Sequence, residues 1–293
     1  MPDWTTVLSK LFEVTGEDLR PFSIRPVAGG CINGAIRLEA RGHRYFVKHN
    51  DPSRLPMFEA EAEGLRALGT AGTLRVPTPV CWGADRTMSF LVVEWLELSS
   101  PDARTQVALG KQLAALHRIS QSRYGWHRDN TIGATPQKNA QSDSWADFFR
   151  ERRLGFQFAL AGRRGFGRLE TDGERLLARL DRFFAGYVPQ ASLLHGDLWS
   201  GNVGKTSDGV PAIFDPAVYY GDRETDVAMT ELFGGFSNSF YRSYNEAWPL
   251  APGYESRKTL YNLYHVLNHL NLFGRGYLSQ AQGMVNKLLA EIG

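Results

Sequence analysis

The stretch LLHGDLWSGNVG at residues 193–204, with PAIFDP following at 211–216, decides how this chain reads. His195, Asp197 and Asn202 fit the pattern H-G-D-x-x-x-x-N, and Asp215 stands eighteen residues beyond Asp197. Phosphoryl transfer needs a group to orient the attacking hydroxyl and oxygen ligands to hold magnesium on the phosphates. An aspartate followed five residues later by an asparagine on a tight loop supplies the first and part of the second. Asp215, after a short hairpin, completes the metal site, because magnesium takes few protein oxygens besides those of substrate phosphates. Asp and Asn are also ordinary turn formers, so this loop alone leaves a structural role open. His195, placed just before Gly-Asp, reads as a brace that hydrogen-bonds backbone rather than as a general base.

Working outward, the N-terminal half supplies the matching parts. Residues 23–50 read as short strands (SIRPVAGG, AIRLEA, RYFVKHN) that alternate apolar and polar positions between turn-like Cys-Ile-Asn-Gly and Arg-Gly-His. A helix follows, with Ser53 as its N-cap and Met57, Phe58, Ala62, Leu65 and Leu68 at helical spacing up to Gly69. After VPTPV, CWGA and SFLVVEWL read as two more strands. Lys48 lies in YFVKHN and Glu61 on the helix, so the two can pair as the lysine and glutamate of protein kinases do. A lone strand lysine is usually solvated; together with the loop above, Lys48 reads as a phosphate ligand.

From about Asp102 the pattern is helical. Val107, Leu109, Leu113 and Leu116 form a stripe ending at His117-Arg118, and further helices are expected over 143–162, 168–186, 222–247 and 255–291. One non-helical island, 192–218, lies among them. The expected organisation is a β-rich lobe over 1–96, a hinge at about 94–98, and a larger helical lobe over 97–293 with a ligand cleft between them.

Length and composition bound the rest. A chain of 293 residues is about two average domains long. Its 43% hydrophobic and 22% charged residues are those of an ordinary soluble protein and exclude intrinsic disorder. No apolar run reaches the roughly 18 residues that span hydrocarbon, so no membrane partner is expected. A net charge of +2, with scattered basic residues, argues against nucleic acid. The start MPDWTTVLSK shows no secretory pattern, and two cysteines, Cys31 and Cys81, make neither a disulfide framework nor a metal site. A cytoplasmic setting is the expectation.

These segments resemble the fructosamine/ketosamine-3-kinase family, within the aminoglycoside-phosphotransferase and choline-kinase group of protein-kinase-like folds. GGCIN, YFVKHN, MFEAEAEGLRAL, VPTPVCWG, LVVEWLEL, LGKQLAALHR, YGWHRDNT, HGDLWSGNVG and FDPAVYYGDRETDVAM carry the likeness along essentially the whole chain. The tryptophan after Asp-Leu, followed by YYGDRE, is more specific than the bare H-G-D motif. The resemblance implies an α+β, protein-kinase-like bilobal fold: a small β-rich lobe with one main helix, a larger helical lobe, and ATP in the cleft. It implies Asp197 as the catalytic aspartate, Asn202 and Asp215 as magnesium ligands, and Lys48 on the ATP phosphates with Glu61 positioning it. Glu94-Trp95-Leu96 would form the hinge against adenine through backbone groups, and Gly29-Gly30 would lie over the phosphates. Two departures from protein kinases stand out. Residues 28–34 lack G-x-G-x-x-G spacing, and Asp215 is followed by Pro-Ala with no A-P-E segment after it. Neither a phosphorylated activation loop nor a protein-kinase type of substrate is expected.

Several residues carry a choice of roles. Asp226 either caps a helix or, as the resemblance implies, reaches back to brace the catalytic loop. Trp199, between Asp197 and Asn202, has little depth to hide an indole and reads as a lining of the sugar-amine pocket. Gly204-Lys205-Thr206 fails as a Walker A motif because Trp199 occupies the position of its first glycine. His265 and His269 are one helical turn apart but lack the glutamate of H-E-x-x-H, and read as core or cleft-lining residues. Cys31 is either a small residue filling a turn or a partly exposed thiol that nearby Lys48 favours as thiolate, open to oxidation. The implied activity is ATP- and magnesium-dependent phosphorylation of the 3-hydroxyl of a small or protein-attached ketosamine, leading to deglycation, by a monomer or homodimer. The alternatives are a kinase of the same fold for an aminoglycoside or choline-like hydroxyl, and a non-catalytic nucleotide-binding scaffold.

Overall fold

In GAIRLEA, Ile36, Leu38 and Ala40 recur at every second position, as do Tyr45 and Val47 in HRYFVKHN, and a strand so patterned buries one face. The computed structural model describes residues 4–28 and 32–293. The expectations for Gly29, Gly30 and Cys31 fall outside the described residues. Elements in the first third are α1 (Thr5–Thr15), β1 (Phe22–Pro26), β2 (Gly34–Ala40), β3 (His43–Asn50), α2 (Leu55–Ala71), β4 (Pro79–Ala84), β5 (Ser89–Glu94) and β6 (Leu98–Ser99). Then come α3 (Ala103–His117), β7 (Ser120–Gln121), β8 (Asn130–Ile132), β9 (Thr135–Gln137), α4 (Trp145–Phe148), α5 (Phe156–Arg163) and α6 (Gly167–Leu177). The last part holds β10 (Ala191–Leu194), β11 (Val203–Thr206), β12 (Pro211–Ile213), β13 (Tyr219–Gly221), α7 (Glu224–Leu232), α8 (Asn238–Ala247), α9 (Tyr254–Phe273) and α10 (Leu278–Glu291).

The chain divides into two compact units. The first runs to Thr105 and takes in Val203–Pro216; the second comprises Gln106–Asn202 and Ala217–Gly293. The first unit thus extends past the expected boundary at 96 and includes the β11–β12 hairpin, which leads directly to Asp215. Its main sheet is antiparallel with order β1-β2-β3-β5-β4, and a second sheet has order β12-β11-β6. Leu38, Val47, Cys81, Phe90 and Val92 pack with Val7 and Leu11 of α1 into one cluster. Helix α1 is an addition to the single helix expected here. Helix α2 starts one residue later than an N-cap at Ser53 would place it and ends beyond Gly69. Ser53 does not cap it: Ser53 lies in a 3-10 turn, Pro52–Arg54, capped by the Asp51 carboxylate accepting from Ser53 N at 2.9 Å, and α2 itself begins after Arg54 without a side-chain cap. Gly69 stays helical, and Gly72, at φ 66°, ends the helix.

In the second unit, α9 supplies much of the core, with Leu260, Leu263, Val266, Leu267 and Leu270 wholly buried among aromatic side chains of α4 and neighbouring segments. The expected 222–247 helix is two, because Gly234 and Gly235 take φ 72° and 92°, and Gly274 at φ 87° likewise separates α9 from α10. The 143–162 run is interrupted by a π-helical stretch over Phe149–Gly155. The 168–186 run ends in a 3-10 turn, Leu180–Phe184. Strand β10 pairs with β7 and β13, while β8 and β9 pair with each other.

Candidate active site

In the first unit, β3 places Lys48 opposite Leu91 of β5, on the face away from buried Val47, and α2 brings Glu61 to it. Lys48 Nζ lies 2.5 Å from Glu61 Oε1 and 2.6 Å from Asp215 Oδ1. The lysine and glutamate side chains are 9% and 12% exposed, whereas Asp215 is 45% exposed. Burial alone would push the lysine pKa down; the two carboxylates outweigh it and hold the value above the ordinary one. Burial dominates at Glu61 and pushes its carboxyl up, although the Lys48 cation opposes this. Asp215 takes φ 56°, a left-handed conformation that a non-glycine residue holds only where its surroundings impose it.

The segment expected as a hinge belongs to the same unit. Glu94 ends β5, and its carboxylate pairs with Arg75 and accepts from Thr78 N at 3.2 Å. Trp95 packs against Phe46 at 6.3 Å between centroids, with the Arg37 guanidinium 5.3 Å from its ring. Leu96 is half-buried. Lys205 of the discarded Gly-Lys-Thr match sits on β11 and pairs with Asp102 at 2.9 Å.

In the second unit, β10 delivers the loop that carries Asp197. Gly196 takes φ 83°, and a Cβ there would collide with the Ala217 carbonyl, so glycine is required on both counts. Asp226, in the first turn of α7, accepts from His195 N at 2.7 Å and from Gly196 N at 2.9 Å. Its carboxylate therefore fixes the two peptide groups ahead of Asp197. Burial pushes its pKa up, but His117 and His195 with these backbone donors more than reverse that, so Asp226 stays ionised below the ordinary range. His195 is wholly buried, and its Nδ1 accepts from Asp197 N at 3.3 Å. Asn202 Nδ2 donates to the Asp197 carbonyl at 2.9 Å. Trp199 is 39% exposed, with Phe233 meeting it edge-on at 6.3 Å.

Taken separately, Asp215 in the first unit offers a part-exposed carboxylate and Asn202 in the second an amide oxygen, both of the oxygen type that magnesium takes. Among the described residues no cluster of three or more His, Cys, Asp or Glu could hold a metal on its own. His265 is buried with its pKa pushed down to about 3, first by burial and then by His269, while His269 Nδ1 is bonded to the His265 carbonyl at 2.8 Å. Burial pushes the Cys81 thiol up to about 12.

Sequence reasoning missed the supports behind Asp226. His117, at the end of α3, lies 3.3 Å from Asp226 through Nε2 and 2.8 Å from Tyr244 Oη through Nδ1. Arg223 donates to the same hydroxyl at 2.9 Å. The one local signal was a histidine closing an otherwise apolar helical stripe.

With this geometry in hand, comparison with known proteins gives a single answer. Residues 3–291 match the family model for fructosamine kinase. The chain belongs to the fructosamine kinase family. A "Probable ketoamine kinase" of Synechocystis sp. is 48% identical over 98% of this chain and 97% of its own length. The chloroplastic protein-ribulosamine 3-kinase of Oryza sativa subsp. indica is 41% identical over 98% of this chain and 82% of its own. Among solved structures, a candidate fructosamine-3-kinase of Haemophilus somnus superposes with a TM-score of 0.88 at 31% identity, covering 98% and 97% of the two chains. An aminoglycoside phosphotransferase bound to AMP-PNP and hygromycin B gives 0.61 at 16% identity, over 98% of each chain, a likeness of fold alone. Membership of the fructosamine kinase family accounts for the α+β, kinase-like fold with a β-sheet unit and a helical unit. No helix among the described residues is long and apolar enough to cross a membrane.

Proposed function

We propose that this chain transfers the γ-phosphoryl group of ATP to the 3-hydroxyl of a ketosamine, a sugar joined to an amine through a ketose carbon. The observation that carries the proposal is the Asp197 loop, whose two preceding peptide groups are pinned by buried Asp226. The supporting likeness is to relatives named for ketoamine and ribulosamine.

The roles follow from the chemistry of each side chain. Asp197 orients the sugar hydroxyl and accepts its proton as the new P–O bond forms and the bond to ADP breaks. Lys48, held by Glu61, offsets the charge on the phosphate oxygens. Asn202 and Asp215 are the side chains that would hold magnesium, which would supply positive charge to offset that of the phosphates. Glu94, Trp95 and Leu96 meet adenine through their backbone; the Glu94 carboxylate is already engaged by Arg75. Trp199 faces the sugar-amine. The 3-phosphate product loses its sugar, so the reaction serves deglycation. The proposed setting is the cytoplasm, where the buried, unpaired Cys81 thiol stays reduced.

An ADP-release assay across ribulosamines, erythrulosamines, fructosamines, aminoglycosides and choline tests the reading. Turnover with ketosamines is expected. Turnover confined to aminoglycosides or choline contradicts it, and no turnover with any acceptor points to the scaffold.

A further inference from the structure

The segment YGWHRDNT and the β8–β9 hairpin that follows have no part in the chemistry above, yet they carry a dense buried amide network. Gln137, at the end of β9, is 1% exposed. Its Nε2 donates to the Ala217 carbonyl at 3.0 Å and to Asn130 Oδ1 at 2.9 Å, and its Oε1 accepts from Tyr264 Oη at 2.8 Å. Asn130 Nδ2 donates to the Val218 carbonyl at 2.8 Å. Behind them, wholly buried Arg153 donates to Asn139 Oδ1 at 2.8 Å, and Asn139 Nδ2 reaches Asn130 Oδ1 at 2.9 Å. The guanidinium also lies 4.0 Å from the centre of the Tyr219 ring.

Every hydrogen-bonding atom of the Gln137 amide is thus used, and the amides end on two successive carbonyls, those of Ala217 and Val218. The same segment is tied from the other side by Ala217 N, which donates to the His195 carbonyl at 2.8 Å. Ala217 is two residues along the chain from Asp215, whose φ of 56° needs neighbours that impose it. With Ala217 held at both its N–H and its carbonyl and Val218 at its carbonyl, the backbone immediately after Pro216 is restrained. We infer that Gln137 is a positioning residue for the metal-binding Asp215: the β8–β9 hairpin sets the magnesium affinity of the site. This rests on the magnesium role proposed for Asp215.

Gln137→Met keeps length and volume but removes all three hydrogen bonds. The test is the affinity for Mn2+, used as a magnesium probe, measured by electron paramagnetic resonance on the whole protein with a non-hydrolysable ATP analogue present. Gln137→Met should weaken Mn2+ by about fivefold or more, the scale of losing one or two net hydrogen bonds, while the KM for ketosamine stays within about twofold. Val285→Ala, which trims the core on α10 and shares no bond with the network, serves as the control for lost stability. Equal Mn2+ affinity in the two variants at matched melting temperature overturns the inference. Should Gln137→Met fail to fold, Asn130→Ala, which releases the Val218 carbonyl, is read the same way. Asp215→Asn separates the two claims: if it leaves Mn2+ affinity unchanged, the magnesium role itself is wrong, whereas a large loss there with none in the hairpin variants removes the positioning role alone.

Discussion

Lys48→Met asks how much of the first unit depends on one buried cation. Methionine preserves most of the stem and its contacts but deletes the charge between Glu61 and Asp215. Asp215, 45% exposed, can recover its hydration. Glu61, 12% exposed, cannot, and burial already holds its pKa above the ordinary 4.5. Removing one partner of a buried pair costs about 3–5 kcal/mol, because the other charge is left desolvated. That loss corresponds to a melting temperature lower by roughly 2–4 °C per kcal/mol. A second substitution, Glu61→Gln, removes the stranded charge and should recover about half of the loss or more. The pH dependence has a definite sign. A carboxyl whose folded pKa is raised favours folding below its unfolded value near 4.5, and that contribution is lost as pH rises through the folded value. The single variant should therefore lag wild type more at pH 8 than at pH 5, and the double variant should show no such difference. Urea unfolding followed by tryptophan fluorescence at both pH values measures this. A single variant within about 1 kcal/mol of wild type at pH 8, or no recovery on adding Glu61→Gln, would refute the reasoning.

Three further outcomes are expected. Asp226→Asn replaces an acceptor of two backbone N–H groups by a group that can accept only one well, with a loss of about 1.5–3 kcal/mol. That deficit should narrow below about pH 4, because the lowered Asp226 pKa stabilises the fold above the unfolded value of 3.8 and ceases to as pH falls; acid unfolding curves check it. Gly196→Ala must carry a Cβ at φ 83° against the Ala217 carbonyl, so kcat should fall by roughly five- to 150-fold, on the strain scale of about 1–3 kcal/mol. Asp215→Asn should raise the magnesium concentration needed at fixed ATP more than Asp197→Ala does, and an unchanged requirement in a magnesium titration would contradict the assignment.

What could be read in the sequence was local. The loop around Asp197 is short, and its spacing fixes which side chains it can present. Lys48 and Glu61 were legible as a pair because a lysine on a strand followed by a glutamate on the next helix matches the ion pair of protein kinases. The missing parts were non-local or conformational. Apolar spacing continues through Gly234-Gly235 and through Gly274, so periodicity alone joined helices that positive φ angles separate. Ser53 is not a helix cap because the Asp51 carboxylate takes both its N–H and its hydroxyl and draws it into a 3-10 turn ahead of α2. His117 and Gln137 were invisible because the partners that give them their place, Asp226 and Tyr244 for the one and Ala217 and Tyr264 for the other, lie 80 to 127 residues away in the chain. An isolated histidine, tyrosine or glutamine in an apolar context carries no sign of which distant carbonyl or carboxylate it will meet.

The central claim is that Asp197 directs phosphate to one hydroxyl of a ketosamine. The most direct measurement is the position of the new phosphate, read by coupled 31P and 1H nuclear magnetic resonance on the product of ATP and a ribulosamine, for wild type and for Asp197→Ala. Wild type should give a 3-phosphate that decomposes with release of the free amine. Asp197→Ala, with Lys48, Asn202 and Asp215 intact, should still bind ATP but form that product at least about 10²-fold more slowly. Phosphate on another hydroxyl, or near-wild-type turnover by Asp197→Ala, would contradict the account.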